Sequence, residues 1–379
     1  MPNPSDNVPM SKRQNIVHII VRLETGGAER SLLRLIDATQ EEFKHTVVCL
    51  GFPTAIGDAI SQLGVEVCYL DYKNPLTWVR LRHVVRRYEP DLVQGWMYYG
   101  NVVCSLFFGK GDVPCLWNVR HALGETREKW LVRLALWLGA RLRRTKIIFN
   151  SETARNTHAY LGYDQPDTSV IPNGIDTSHF HPDQEVRTKV RASYGLKPES
   201  RWIGVVGRNH PHKGVDIFLS AVAPLLTANK SWRIALVGPG MVESDPGLTK
   251  QVADTGVSRE QIVFCGSIND TAKFFPALDC VVVSSRVESF PNVAIEAMAC
   301  AVPVVGTNVG DLSAIIDDPE RLCPIEDVAA LRSIVVEVMS QPPQQLAAIA
   351  ERDRQRVQAR YHMDICSQAY VSTYQTLTQ

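Results

Sequence analysis

The chain has 379 residues, too many for one ordinary core and enough for two domains of about 150–200 residues each. Hydrophobic residues make up 45% and charged residues 21%, the balance of a globular protein, which excludes disorder and fibrous repeats. Lys plus Arg equals Asp plus Glu at 40 each, which excludes a whole-protein nucleic-acid footprint, so no nucleic-acid partner is expected.

The opening stretch is polar and proline-bearing with no apolar segment, so residues 1–14 read as a disordered leader. Beyond it, short β-branched runs alternate with helix-length amphipathic segments, the pattern of a parallel sheet built from βαβ units. Strands are predicted at 15–23, 45–50, 65–70, 92–94, 115–118, 146–150 and 168–171, within a first domain over 15–185. A break follows at Ile171-Pro172-Asn173-Gly174 and a polar stretch to Tyr194. The pattern then restarts with strands at 202–206, 232–237, 262–265, 280–284 and 303–305, and with helices at 215–227 and 269–278. This second domain is expected over 186–355, with 356–379 a C-terminal helix packing back toward the first. The fold class is α/β, two Rossmann-like doubly wound parallel sheets, in which ligands sit beyond the carboxyl ends of the strands.

Nine cysteines occur singly in apolar runs such as Val47-Val48-Cys49, with no C-x-x-C pair, and read as buried thiols of a reducing compartment. No run of about 18 apolar residues exists, so a cytoplasmic location is expected. Residues 80–146 hold 13 basic against 5 acidic side chains inside a neutral protein. Within them, 127–146 (REKWLVRLALWLGARLRRTK) is an apolar and basic amphipathic stretch carrying Trp130 and Trp137. Two readings stand side by side: a surface that lies on an anionic membrane, peripheral on its inner face, or a core helix with a solvated basic end.

Three loops carry chemistry. After the first strand, Gly26 and Gly27 open a helix, where backbone N–H groups and the helix dipole favour a phosphate. At the same place in the second domain, Gly207-Arg208-Asn209-His210-Pro211-His212-Lys213-Gly214 sets two fixed cations five residues apart, a pair suited to a diphosphate. After the strand at 280–284 come Glu288, Ser289, Phe290, Pro291, Asn292 and Glu296. A helix opening near Pro291 puts Glu296 a little over one turn inside it, so a helix mouth can hold phosphate while the two carboxylates accept from hydroxyl pairs.

Glu288 and Glu296 match the E-x7-E hallmark of the retaining GT-B glycosyltransferases, glycosyltransferase family 4 or glycosyl transferases group 1. The chain also resembles that family in Gly26-Gly27-Ala28-Glu29, in Ile171-Pro172-Asn173-Gly174-Ile175-Asp176, in Arg208 and Lys213-Gly214, and in Glu296-Ala297-Met298-Ala299. The match runs in order over nearly the whole chain. The resemblance implies that Arg208 and Lys213 hold a donor diphosphate while the backbone of Gly26 and Gly27 approaches it from the opposite domain. It implies that Glu288 contacts the sugar hydroxyls and Glu296 the ribose, with Ser289, Phe290, Pro291 and Asn292 lining the pocket. Where Ser289 stands the family often has glycine. The family's first-domain histidine falls on His121, with Arg120 as the alternative functional neighbour.

The activity so implied is retaining transfer of a hexose or N-acetylhexosamine from a nucleotide diphosphate sugar, UDP favoured over GDP, to a glycan or lipid-linked acceptor of cell-surface polysaccharide or glycolipid synthesis. The catalytic set is Glu288, His121, Arg208 and Lys213, without an enzyme nucleophile. No D-x-D pair occurs, so no metal and no cofactor beyond the donor are expected. The alternatives are a nucleotide-sugar epimerase of the same architecture and an inactive nucleotide-binding partner.

Overall fold

A computed structural model describes residues 13–24, 26–108, 113–122, 130, 133–134, 137, 145–159 and 167–379. The leader up to residue 12, and all but a few residues of 127–146, lie outside the described residues.

The first unit contains β1 (Asn15–Ile20), α1 (Gly27–Thr39), β2 (Lys44–Cys49), α2 (Ala55–Gln62), β3 (Glu66–Tyr69), α3 (Pro75–Arg86), β4 (Leu92–Trp96), α4 (Met97–Phe108), β5 (Cys115–Val119), β6 (Thr145–Phe149), α5 (Glu152–His158) and β7 (Thr168–Val170). Its sheet runs β3-β2-β1-β4-β5-β6-β7, and every pairing is parallel. After α6 (Gln184–Ser193), the second unit has β8 (Arg201–Val206), α7 (Val215–Ala228), β9 (Trp232–Val237), α8 (Pro246–Asp254), β10 (Ile262–Gly266), β11 (Cys280–Val283), α9 (Asn292–Ala299), β12 (Val304–Thr307), α10 (Leu312–Ile316), β13 (Leu322–Cys323) and α11 (Val328–Met339). Its sheet runs β10-β9-β8-β11-β12-β13, again parallel throughout. The chain ends in α12 (Pro343–Tyr361) and α13 (Met363–Thr378).

The strands are continuous apolar runs because both faces of each sheet are covered by helices. β1 (NIVHII) and β11 (CVVV) are buried along their whole length. Three helices, α6, α8 and α11, start on local signals: Asp183, Asp245 and Asp327 accept from the N–H three residues on, at Val186, Leu248 and Ala330. Strand order reverses between β1 and β4 in one sheet and between β8 and β11 in the other. The crevices at those two points are where a doubly wound sheet binds ligands. The loops that follow β1, β8 and β11 therefore carry Gly26 and Gly27, then 207–214, then 284–291 to the switch points.

α13 lies against α1 and sends Tyr370, Val371 and Tyr374 into the core of the first unit. The two chain crossings between the units run side by side: Ile175 N donates to Tyr361 O at 2.8 Å and Met363 N donates to Ile175 O at 2.9 Å.

Beside α13, the first core holds a directed polar chain. Trp96 Nε1–H donates to His18 Nδ1 at 3.2 Å, and His18 Nε2 meets His45 Nδ1 at 3.0 Å. His45 Nε2 lies 3.0 Å from Thr39 Oγ1, whose hydroxyl donates to Leu35 O at 2.6 Å. Since the indole can only donate, each bond in turn assigns the next, and both rings carry their proton on Nε2 in the neutral form. Burial pushes the His18 imidazole well below its ordinary value and the His45 imidazole down to about 4.

Two expectations are corrected. The segment 269–278 is not a helix but two 3-10 turns, Thr271–Lys273 and Phe275–Ala277. Asp270 caps the first turn through Ala272 N, and Pro276, which has no N–H to give, sits in the second. The first strand stops at Ile20 instead of Leu23. A further strand, β13, is present; with two residues it is too short for any periodicity to reveal.

Candidate functional site

The second unit supplies a charged wall. Beyond β8 the chain makes the 3-10 turn Pro211–Lys213 and reverses at Gly214, whose φ is 61°. A Cβ there would sit 2.0 Å from Ser284 O, so only glycine lets this loop lie against the one after β11. Ser284 Oγ donates to Lys213 O at 3.0 Å, and Arg286 N donates to His212 O at 2.7 Å. The Arg286 guanidinium also joins the two loops by donating to Pro211 O at 2.8 Å, and it grips Asp216 at 2.8 and 2.6 Å and Glu326 at 2.5 Å. Those bonds hold the Asp216 carboxyl below its ordinary value.

Held this way, Lys213 Nζ meets Glu288 Oε1 at 2.5 Å, and Ser285 Oγ donates to the same oxygen at 2.8 Å. The cation and the carboxylate that the spacing singled out are thus one ion pair at the switch point. Arg208, five residues upstream, is exposed, and its charge acts on Glu29 and on His210.

Glu296 lies on α9 and is only 8% exposed. Burial raises its pKa, and the nearby Arg34 and Arg30 pull it back. Arg34 Nη2, from α1 of the first unit, reaches Glu296 Oε1 at 3.2 Å. No side chain caps the start of α9, which follows Pro291, or the start of α1, which follows Gly26. The two helix mouths lie close together: a Cβ added to Gly27 would be 3.5 Å from Asn292 Nδ2.

The remaining pocket residues tie the units together. Ser289 Oγ contacts Ser151 Oγ at 2.6 Å and donates to Asn150 Oδ1 at 2.8 Å. Asn292 Oδ1 accepts from Asn173 Nδ2 at 2.6 Å, and Asn173 Oδ1 accepts from Arg120. Arg120 also donates to Tyr370 Oη at 2.9 Å and lies 4.9 Å from the centroid of the Trp96 ring. Asp311, next to Gly310 below Ser289, accepts from Glu152 N at 2.8 Å and Thr153 N at 2.9 Å, so a carboxylate of one unit caps α5 of the other. The ring of Phe290 is buried 5.5 Å from that of Tyr361.

His121 follows β5, half-buried, its ring edge-on to Tyr98 at 4.4 Å and 6.4 Å from His158. Tyr98 Oη and His158 Nε2 are 2.5 Å apart, and burial pushes His158 down to about 4. These described ring neighbours all belong to the first unit, whereas Arg120, the alternative, is linked through Asn173 to Asn292. Residues that sequence reasoning did not single out are Arg34, Asn150, Ser151 and Asp311. Each meets a partner more than 130 residues away, and no local pattern marks such a contact. Among the described residues, no group of three or more His, Cys, Asp or Glu is placed to hold a metal ion.

A family model described as Glycosyltransferase Family 4 matches residues 25–179, and one described as Glycosyl transferases group 1 matches residues 200–341. The chain is 29% identical over 232 residues to the lipopolysaccharide core biosynthesis mannosyltransferase LpsB of Rhizobium meliloti, covering 59% of this chain and 64% of that one. It is 31% identical over 228 residues to the D-inositol 3-phosphate glycosyltransferase of Segniliparus rotundus, covering 59% of this chain and 50% of that protein. The matched segments therefore span about half to two thirds of those relatives' length. Among solved structures, Anabaena HepE in complex with UDP superposes with a TM-score of 0.85 at 21% identity, covering 96% of this chain and all of that one. Sucrose-phosphate synthase from Thermosynechococcus elongatus superposes at 0.78 with 20% identity, covering 96% and 99%. Those likenesses establish the fold, two parallel-sheet Rossmann-like domains of the GT-B kind. With both halves matched in chain order, the chain belongs to the glycosyltransferases of family 4 and group 1.

Proposed function

We propose that the chain is a retaining, metal-independent glycosyltransferase that moves a hexose or N-acetylhexosamine from a nucleotide diphosphate sugar to a glycan or lipid-linked acceptor. The observation that carries this reading is the Lys213–Glu288 pair at the second sheet's switch point, with buried Glu296 one helix mouth away. A diphosphate entering between the mouths of α1 and α9 takes Lys213 and Arg208 as partners, and these fixed cations do what a metal does elsewhere. Glu288, freed from Lys213, accepts from hydroxyls of the sugar, and Glu296 accepts from the ribose. The acceptor hydroxyl attacks the anomeric carbon on the face the phosphate leaves. The new C–O bond forms as the carbon to phosphate-oxygen bond breaks, and the acceptor proton goes to the departing phosphate, so no enzyme nucleophile is needed. His121 and Ser289 flank the sugar. UDP is the favoured base carrier, in line with the UDP held by HepE, and cell-surface polysaccharide is the favoured product, in line with the name of LpsB.

No helix among the described residues is long and apolar enough to cross a membrane. A peripheral site on an anionic membrane is proposed for 127–146, supported by the exposure of Trp130 and Trp137 at 63% and 56%.

The test is a thermal-shift panel of UDP, GDP and ADP with their sugars, followed by product analysis. A ligand at about 100 times its Kd adds about 2.7 kcal/mol of stability, so the correct donor announces itself as the largest shift. Labelled sugar transferred with retained configuration supports the reading. A changed sugar without transfer identifies an epimerase, and the absence of any nucleotide shift overturns the proposal.

A further inference from the structure

An acidic side chain stands where the proposed reaction needs an anion to bind. Glu29, in the first turn of α1, folds back over the helix start: its Oε2 lies 2.3 Å, and its Oε1 3.5 Å, from where a Cβ on Gly26 would be. No side-chain hydrogen bond caps Gly26, and the Glu29 carboxylate lies over the start of α1. Gly27, its neighbour, faces Asn292 at the mouth of α9, which places Glu29 on the border between the two units. Burial raises the Glu29 carboxyl above its ordinary value and Glu24, three residues before Gly27, adds to that, while its own backbone N–H and Arg208, which comes from the opposite unit, pull it back.

A carboxylate in the first turn of a helix is favourable to that helix, but it repels any second anion brought to the same N–H groups. The same holds for Arg208: one guanidinium serves either the carboxylate or a phosphate, not both at full strength. Resting on the donor-site reading above, we propose that Glu29 is a built-in rival of the donor diphosphate, occupying the mouth of α1 opposite Arg208 and giving way when the diphosphate arrives. Donor entry swings the carboxylate off the helix mouth and hands Arg208 to the phosphate. After transfer, the leaving nucleoside diphosphate competes with the returning carboxylate, which speeds its release. Glu29 is thus a positioning residue that weakens ground-state binding of the phosphates and keeps the site from being trapped by its own product.

The experiment compares wild type with Glu29→Gln, which keeps shape and hydrogen-bonding capacity and removes the charge. Calorimetry measures UDP, GDP, uridine and guanosine, and stopped-flow displacement measures release of whichever diphosphate binds. Expected is about tenfold tighter binding of the diphosphate with slower release, the size of one removed like-charge contact, and no change for the nucleoside. Diphosphate affinity that is unchanged or weaker in Glu29→Gln, or a nucleoside affinity that moves with it, overturns the proposal; a lower Tm alone would then mark Glu29 as a simple cap. Wild type that binds neither UDP nor GDP overturns the donor-site reading itself and this inference with it.

Discussion

The first unit buries neutral polar chains, and the second buries ion pairs. In the first, Trp96, His18, His45 and Thr39 pass one proton direction along four linked bonds, and Tyr374 Oη donates to Gln94 Oε1 at 2.6 Å nearby. In the second, Arg321 grips the fully buried Asp353 bidentately at 2.6 and 2.8 Å, and Asp279 takes Arg187 at 2.5 Å and Arg191 at 3.2 Å. The buried histidines, His18, His45 and His158, all lie in the first unit, where His83 on α3 is exposed; His179, His181, His210 and His212, beyond the first crossing, are exposed too. A neutral chain fails when any member is charged, and an ion pair fails when either member is lost. The two halves of one cleft should therefore respond to different insults.

The largest expected effect is in the second unit. Removing one partner of a buried pair leaves the other charge uncompensated, so Asp353→Ala should cost about 3–5 kcal/mol of stability by urea denaturation. A loss below about 1 kcal/mol would erase the contrast between the halves.

Next comes chemistry at the charged wall. Lys213→Ala and Glu288→Ala should each cut turnover by about a hundredfold or more, since a lost transition-state charge contact is worth about 3 kcal/mol. Near wild-type transfer by either purified variant would remove the assigned roles.

The third effect belongs to the first unit and is driven by pH. The folded pKa values of His18, His45 and His158 lie below the unfolded value, so the unfolded chain binds more protons as the medium becomes acidic. Stability is complete above pH 6.5, drains as pH falls from there, and levels off once the folded groups near pH 4 also titrate. For His45 alone the drop is up to about 3 kcal/mol. Trp96 fluorescence during urea titrations at stepped pH reads it, and a first-unit transition that stays put between pH 6.5 and 4.5 would contradict the neutral-chain account.

The alternation of β-branched runs and amphipathic segments was legible, because a strand buried on both faces must be apolar throughout. Legible too were the loops bearing Arg208, Lys213 and Glu288, with Glu296 in the helix that follows the last of them, since each loop is contiguous and sits directly between a strand and a helix. The segment 269–278 misled because Pro276 and the Asp270 cap convert an apparent helical period into two tight turns. The strand β13 escaped for lack of length.

The chain by itself determined the two parallel sheets, their order along the sequence, and the residue types at the ends of β8 and β11, because these depend on patterns within some ten residues. Tertiary structure alone decided that Arg34 answers Glu296 over 262 residues and that Asp311 caps a helix of the other unit. It also decided that Asn292, at the mouth of α9, lies against Gly27 at the mouth of α1. Such partners are selected by distance in space, and spacing along the chain carries no trace of it.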